Sequence, residues 1–445
     1  MQNDEKKIIR RKLLKYIIPS VTAMWVYTIY TMVDGMFVSN GVGPNALAAV
    51  NLCMPFINVA FGVGILFAVG TSTRASVYRG RGDMETANRI FTMSTLTVFA
   101  IAILITLTAY FNIDFFARLL GATDETYRYM VDYLSVLILF LPCYITAYNL
   151  EVLIKADGFP QKAILTASIA ALLNILLDYL FVFMIPWGVK GAALATGAAQ
   201  LSTFIVYVVH FNSSKSNFKF VSVKWKFKEI VRTVKLGIAD CINEFSVAII
   251  TFLFNNVLLV VSGENGVVIY TIISYITQLT LNTMMGVNQG MQPLVSYYYG
   301  KSLKSHTAYI LSVALKFSVA IGFVSFAICV GLPNLIIGAF VGSSHDTELI
   351  ADGINALRMY AYCFLPLGIV MPVNGYFTAL EKPVMALTVS LCRGCIFLAI
   401  SLVIMSLIFG TTGVWLSMGV SEFAALTLVI ILYKVKIKNN REVKQ

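Results

Sequence analysis

The chain has 445 residues, of which 58% are hydrophobic and only 12% charged, with a mean hydropathy of +0.80. Soluble domains carry about 25% charged residues, so a water-soluble globule, a disordered chain and a nucleic-acid-binding domain are excluded. The net charge of +11 does not alter this, because the basic residues punctuate apolar runs instead of forming one basic face.

Lys6, Lys7, Arg10, Arg11, Lys12 and Lys15 precede an apolar run that continues to Ser39. That run is too long for a signal-peptide core, and no small-residue cleavage site follows it, so it reads as the first membrane span. About 20 apolar residues cross a ~30 Å hydrocarbon core. Runs of this kind predict twelve spans, at 14–39, 45–72, 89–112, 129–152, 162–185, 190–211, 233–261, 266–299, 307–332, 351–378, 383–408 and 413–434. The seven cysteines, the Cys392/Cys395 pair included, lie within these runs and read as packing residues rather than as disulfides or a redox motif.

Lys and Arg set the orientation. With both termini inside, 27 basic residues fall in cytoplasmic segments and 3 (Arg118, Arg128, Lys190) in outer loops. Another 3 (Lys316, Arg358, Arg393) fall within spans. The expected topology is N-in and C-in, without a large soluble domain.

The sequence also repeats itself. Gly70-Thr-Ser-Thr-Arg-Ala-Ser76-Val-Tyr78-Arg-Gly80 returns as Gly290-Met-Gln-Pro-Leu-Val-Ser296-Tyr-Tyr298-Tyr-Gly300. Phe140-Leu-Pro142 returns as Phe364-Leu-Pro366, and the glycines Gly188, Gly191 and Gly197 as Gly410, Gly413 and Gly419. The expected fold is therefore all-α and integral to the membrane, with twelve helices in two pseudo-symmetric six-helix bundles. Residues 1–212 form the first lobe, the basic stretch 213–228 a cytoplasmic linker and 229–445 the second lobe. Parallel repeats of six spans are a build of secondary transporters. No Walker A pattern is present, so the expected driving force is an ion gradient or a partner, with no cofactor beyond H+ or Na+ as coupling ion.

An ionisable group inside a span is a functional candidate by default. Counting ~1.5 Å per residue from the flanking lysines puts Asp34 and Asp178 in the outer halves of the first and fifth spans. Asn174 precedes Asp178 by one helical turn and shares its face, and Thr196 enters at similar depth on the sixth span. Such a group of oxygens suits a proton or a hard cation. The plainer alternative is that each polar side chain satisfies a local backbone group; the matched depth favours a shared site. Pro19, inside the first span, could mark a bend.

In the second lobe Glu244, Glu422 and Asn374 are candidates for substrate or ion contact, the alternative for the two acids being an interhelical hydrogen bond, and Gln200 occupies the repeat position of Glu422. Asp240 and Glu151 read as solvated or paired near the inner interface. His210, His306 and His345 fit no metal-ligand spacing, and no catalytic cluster is evident.

Several pieces together resemble the multidrug and toxic compound extrusion (MATE) family. They are Met32-Val-Asp34-Gly-Met-Phe-Val38, Pro19, the repeated Gly-x5-Ser-x-Tyr-x-Gly segment, Asn174-x-x-x-Asp178, and Gly188-x-x-Gly191-x-x-Leu194-x-Thr196. The Asp-Gly-Met-Phe-Val form is similar to the MepA-like bacterial branch. The resemblance implies a multi-pass antiporter of the bacterial cell membrane, acting as a monomer among membrane lipids. It would export cationic, amphipathic drugs or dyes in exchange for H+ or Na+ by alternating access. It also implies that Asp34, Asn174, Asp178 and Thr196 form the cation site, with Pro19 as the bending proline. Glu244 matches a second-lobe acid of some members, but its helix-10 acidic partner is missing here. The competing reading is a flippase for a lipid-linked oligosaccharide or peptidoglycan precursor, which would favour an arginine-rich cavity.

The topology has a direct test. In a cysteine-free background, Lys215→Cys should resist an impermeant thiol reagent applied to intact cells, whereas Gly121→Cys should react. Labelling at position 215 from outside would reverse the assignment.

Overall fold

The computed structural model describes residues 2–341 and 347–442; His345 lies outside them. The described residues are helical almost throughout and contain no strand.

Ten helices are long and apolar enough to cross a membrane, the first a helix of 39 residues, Asn3–Gly41, and two of them 74 and 53 residues long. Each of these last two contains one non-helical residue, Gly263 (φ 66°) and Gly410 (φ 57°). A positive φ is open to glycine at little steric cost, and it divides each long element into two spans. The result is the expected twelve. In chain order they are α1 (Asn3–Gly41), α2 (Pro44–Arg81), α3 (Met84–Phe111), α4 (Tyr127–Asp157), α5 (Pro160–Asp178) and α6 (Gly188–Asn212). The second set is α7 (227–262), α8 (264–300), α9 (Lys304–Gly331), α10 (347–379), α11 (383–409) and α12 (411–442). Two short helices, Ile113–Leu119 and Pro333–Val341, follow the third span of each set; they are too short to give a span signal. Val260 and Leu407 are 85% and 81% exposed, as expected of side chains that face lipid instead of water.

Backbone punctuation repeats with the sequence. Positive φ occurs at Gly43, Gly82, Gly158 and Gly188, and again in the same order at the repeat positions Gly263, Ser302, Glu381 and Gly410. Proline occupies the first turn of both α5 and α11, where its missing N–H has no helical partner to lose.

Contacts divide the chain into two units. One comprises Lys12–Gly237 with Ser296–Leu303; the other comprises Met1–Arg11, Ile238–Val295 and Lys304–Gln445. In the first unit α4 packs on α2, α3 and α6. Its apolar core includes Val50, Phe67, Leu134, Ile138 and Ile145. The second unit has its own core around Phe254, Met284, Tyr360, Phe364 and Trp415.

The basic stretch after α6 is bound to the first unit. Asp157, fully buried at the end of α4, accepts from His210 Nε2 (2.9 Å) and Ser216 Oγ (3.0 Å). It also accepts from the backbone amides of Asn217 (2.9 Å) and Phe218 (3.2 Å). Phe218 is buried in an aromatic cluster with Phe91 and Phe211. The first turns of α7 are held in the same unit by Arg74, which is ion-paired with Glu229 and donates to its carbonyl (2.8 Å) and to Thr233 Oγ1 (3.0 Å).

Left-handed backbone yields a stability test. A Cβ at Gly82 meets nothing within 4 Å, so Gly82→Ala should destabilise through its φ of 83° alone, by about 1 kcal/mol. Ser302→Gly at the repeat position should stabilise, by less, because glycine also frees the unfolded chain. Thermal unfolding of the purified variants reads both; the opposite signs would refute the argument.

Candidate functional site

The predicted cluster comes together inside the first unit. α5 holds α-helical geometry up to Asp178 and then passes into a π turn, Tyr179–Met184. Such a turn resets the backbone register directly after the carboxylate. Asp178 is fully buried and Asn174, one turn earlier, is 1% exposed. The half-buried Asp34 of α1 lies against Asp178, and the Asn174 amide borders the same carboxyl. Asn174 Nδ2 donates to Thr196 Oγ1 of α6 at 3.3 Å.

The amide is thereby oriented with its oxygen free. Asn174 Oδ1, Asp34 Oδ1 and both carboxyl oxygens of Asp178 are buried without a hydrogen-bond donor among the described residues. Four acceptors from two helices, fixed by a third, thus gather where nothing supplies a positive charge. Buried polar groups are normally paired, and a bare buried carboxylate costs several kcal/mol. The arrangement is chemically complete only with a proton shared between the carboxyls or with a hard cation among the oxygens.

Two tyrosines border this cluster. Tyr133 of α4, 3% exposed, is within electrostatic reach of Asp34 and Asp178, and Tyr30 within reach of Asp34. Tyr30 is one turn before Asp34 on the same helix, a spacing visible in the sequence. Nothing in the sequence relates Tyr133, on another helix, to them. Pro19 lies inside an unbroken α1, on the N-terminal side of Asp34.

The second-unit candidates do not form an equivalent cluster. Glu422 of α12 is fully buried and bound to Arg393 of α11, with Nε to Oε1 at 2.8 Å. Its Oε2 has no donor among the described residues. Arg393 sits in a π turn, Cys392–Ile396. Asn374 donates to Ser390 Oγ at 2.9 Å, leaving its own Oδ1 without a donor. Asp240 is paired, at 3.4 Å, with both Gln292 Nε2 and Thr378 Oγ1. Glu244 is half-buried with no ion pair among the described residues, and Gln200, in the first unit, is half-buried on α6. The seven cysteines are free thiols. His210 is engaged by Asp157 and His306 by Glu5.

The MatE family model matches residues 19–180 and 240–405, most of the chain. The chain belongs to the MatE family. It is a transporter and not an enzyme, and its spans make it a multi-pass protein of the bacterial cell membrane. The multidrug export protein MepA of Staphylococcus saprophyticus is 25% identical over 436 residues, covering 97% of this chain and 95% of the relative. Among solved structures, a MATE in complex with MaL6 superposes with a TM-score of 0.91 at 22% identity, covering 98% of this chain and 97% of the other. A MOP superfamily transporter from Pyrococcus furiosus gives 0.88 at 23% identity, covering 97% and 96%. At such identities the structural likeness establishes the shared fold.

The Glu422 pairing has a measurable consequence. Glu422→Leu strands a buried guanidinium and should destabilise by about 3–5 kcal/mol, whereas Arg393→Met combined with Glu422→Leu should recover most of that loss. Thermal denaturation of the purified variants decides. A single variant that melts like the parent while losing cationic dyes selectively would mean that Glu422 serves cargo instead.

Proposed function

We propose that the protein is a multidrug efflux antiporter that exports cationic, amphipathic compounds in exchange for H+ or Na+ by alternating access, acting as a monomer. The single observation behind this reading is the group of four donorless oxygens on Asp34, Asp178 and Asn174. Family membership supports it, as does the name of the staphylococcal relative, a multidrug export protein.

The chemistry follows from charge. With the carboxyls ionised and no cation present, the site attracts a positive species and disfavours burial. A proton or sodium ion neutralises it and removes that penalty, so the helices can pack more closely. Asp34 is on the same helix as Pro19, whose ring removes a backbone donor and makes α1 easier to bend there. Bending of α1 upon neutralisation would narrow the first bundle and displace cargo. Coupling requires the ion to bind one conformation better than the other; equal affinity would shift nothing. Glu244 of α7 is the second-lobe candidate for contact with a cationic substrate, with Asn374 and Gln200 as neutral polar contacts. The flippase reading is not favoured, since Arg393 is already neutralised by Glu422 and Arg358 is exposed.

Asp34→Asn removes the charge at nearly constant volume. It should leave the protein folded and able to bind a cationic dye in detergent, with the pH or sodium dependence of binding lost. Efflux from inverted vesicles, with a proton or sodium gradient imposed separately, should fall to background. Wild-type efflux by this variant under an intact gradient would move the coupling site elsewhere, with Glu244 next in line.

A further inference from the structure

Three cations converge on one tyrosine ring at the basic end of the first unit. Lys301 Nζ lies 4.8 Å from the centroid of Tyr297, Lys12 Nζ 5.3 Å and Arg79 Cζ 5.7 Å. They come from the C-terminus of α8, the start of α1 and the end of α2. Lys12 also lies 5.8 Å from the Tyr298 ring, and Arg79 6.0 Å from Phe218. Arg79 is fixed by a 2.7 Å hydrogen bond to the Ala156 carbonyl at the end of α4. The backbones beneath are fixed as well: a Cβ on Gly80 would collide with the Tyr297 carbonyl, and one on Gly300 with that of Val77. The ring and the guanidinium are therefore held in place by a crossing that admits no side chain.

Among the described residues, no carboxylate neutralises this group. Each acid at the same end of the unit has its own partner: Glu85 pairs with Arg89, Glu151 with Lys155, and Glu229 with Arg74 and Arg232. Asp157 is taken by His210 and the chain after it, and Asp83 caps α3 through the Thr86 amide. That cap holds the Asp83 carboxyl below the usual carboxylate range. Lys301 also reaches the Tyr297 hydroxyl with a hydrogen bond, but three like charges within reach of one another repel, and one neutral phenol does not neutralise them. The cluster lacks an anion.

We propose that Lys12, Arg79 and Lys301, gathered around Tyr297, bind the phosphate of an anionic membrane lipid. Phosphate supplies several acceptor oxygens to a guanidinium and two ammonium groups, which a single carboxylate could not satisfy together. A lipid is the favoured source because Lys12 lies just before the apolar run of α1, and Leu303, 38% exposed, follows Lys301. Phosphate recognition thus falls where headgroups meet acyl chains. Basic residues beside the spans attract the anionic cytoplasmic leaflet, and the distribution of Lys and Arg assigns this end to the cytoplasm.

The test uses the purified full-length protein in detergent, with bound lipid counted by native mass spectrometry after addition of phosphatidylglycerol or phosphatidylcholine. The parent should hold phosphatidylglycerol at least about tenfold more tightly. Lys12→Gln with Lys301→Gln should abolish that tenfold preference, while dye binding shows that the fold is intact. Arg79 is left in place because it also caps α4. Lys224→Gln with Lys228→Gln removes the same charge elsewhere and should leave the preference unchanged. Inorganic phosphate at equal concentration should displace nothing. The proposal is overturned by equal binding of the two lipids, by an unchanged preference in the Lys12/Lys301 variant, by loss of the preference in the Lys224/Lys228 control, or by mole-for-mole displacement with inorganic phosphate, which would assign the site to a soluble anion.

Discussion

Two carboxyls side by side inside a bundle that cannot solvate them impose the strongest constraint on this molecule. Burial penalises each ionised form, and proximity penalises having both. Hydrogen bonds could relieve the penalty, yet among the described residues no donor reaches Asp178, Asp34 Oδ1 or Asn174 Oδ1. Thr196 strengthens the constraint, because it takes the Asn174 amide and turns the carbonyl oxygen toward unmet need. Structural carboxylates in the same protein look different: Asp157 collects four hydrogen-bond donors. The Asp34 and Asp178 pair is left short of positive charge, which is what the proposed exchange of a cation requires.

The two halves share a backbone plan and differ in charge. Glycines or left-handed residues punctuate both sets of spans at matching positions. At the interval that relates Pro160 to Pro383, Asp178 falls on Ser401 and Ala170 on Arg393. Ser401 is satisfied by the Ser417 carbonyl at 2.6 Å, and Arg393 by Glu422 at 2.8 Å. Within the second unit that part of the membrane interior is close to electrically settled. Divergence has left the adjacent pair of unneutralised carboxyls in the first unit, whereas in the second Glu244 has no ion pair among the described residues and Glu422 keeps one oxygen without a donor.

Much of this is legible in the sequence because membranes enforce simple rules. A span must be about 20 apolar residues long, so counting from lysines gives the depths of Asp34, Asp178 and Thr196, and helical spacing puts Asn174 beside Asp178. Depth is readable; rotation about a helix axis is not. Thus no pattern brings Tyr133 to Asp34, and none singles out Arg393, on the preceding helix, as the partner of Glu422. The π turns after Asp178 and around Arg393 carry no composition signal. The stretch 213–228 looks like a free tether because it is polar, and the single residue that binds it down, Asp157, lies at the end of α4 with all of α5 and α6 in between.

Ion release on cargo binding tests the central claim most directly. Purified protein in weakly buffered detergent solution is mixed with a cationic dye while proton and sodium electrodes follow the medium. Competition for the Asp34 and Asp178 pair predicts release of about one H+ or one Na+ per dye bound, lost when both carboxyls are replaced by amides. Stoichiometric dye binding with no release of either ion, or release that persists in the double amide variant, would contradict the account.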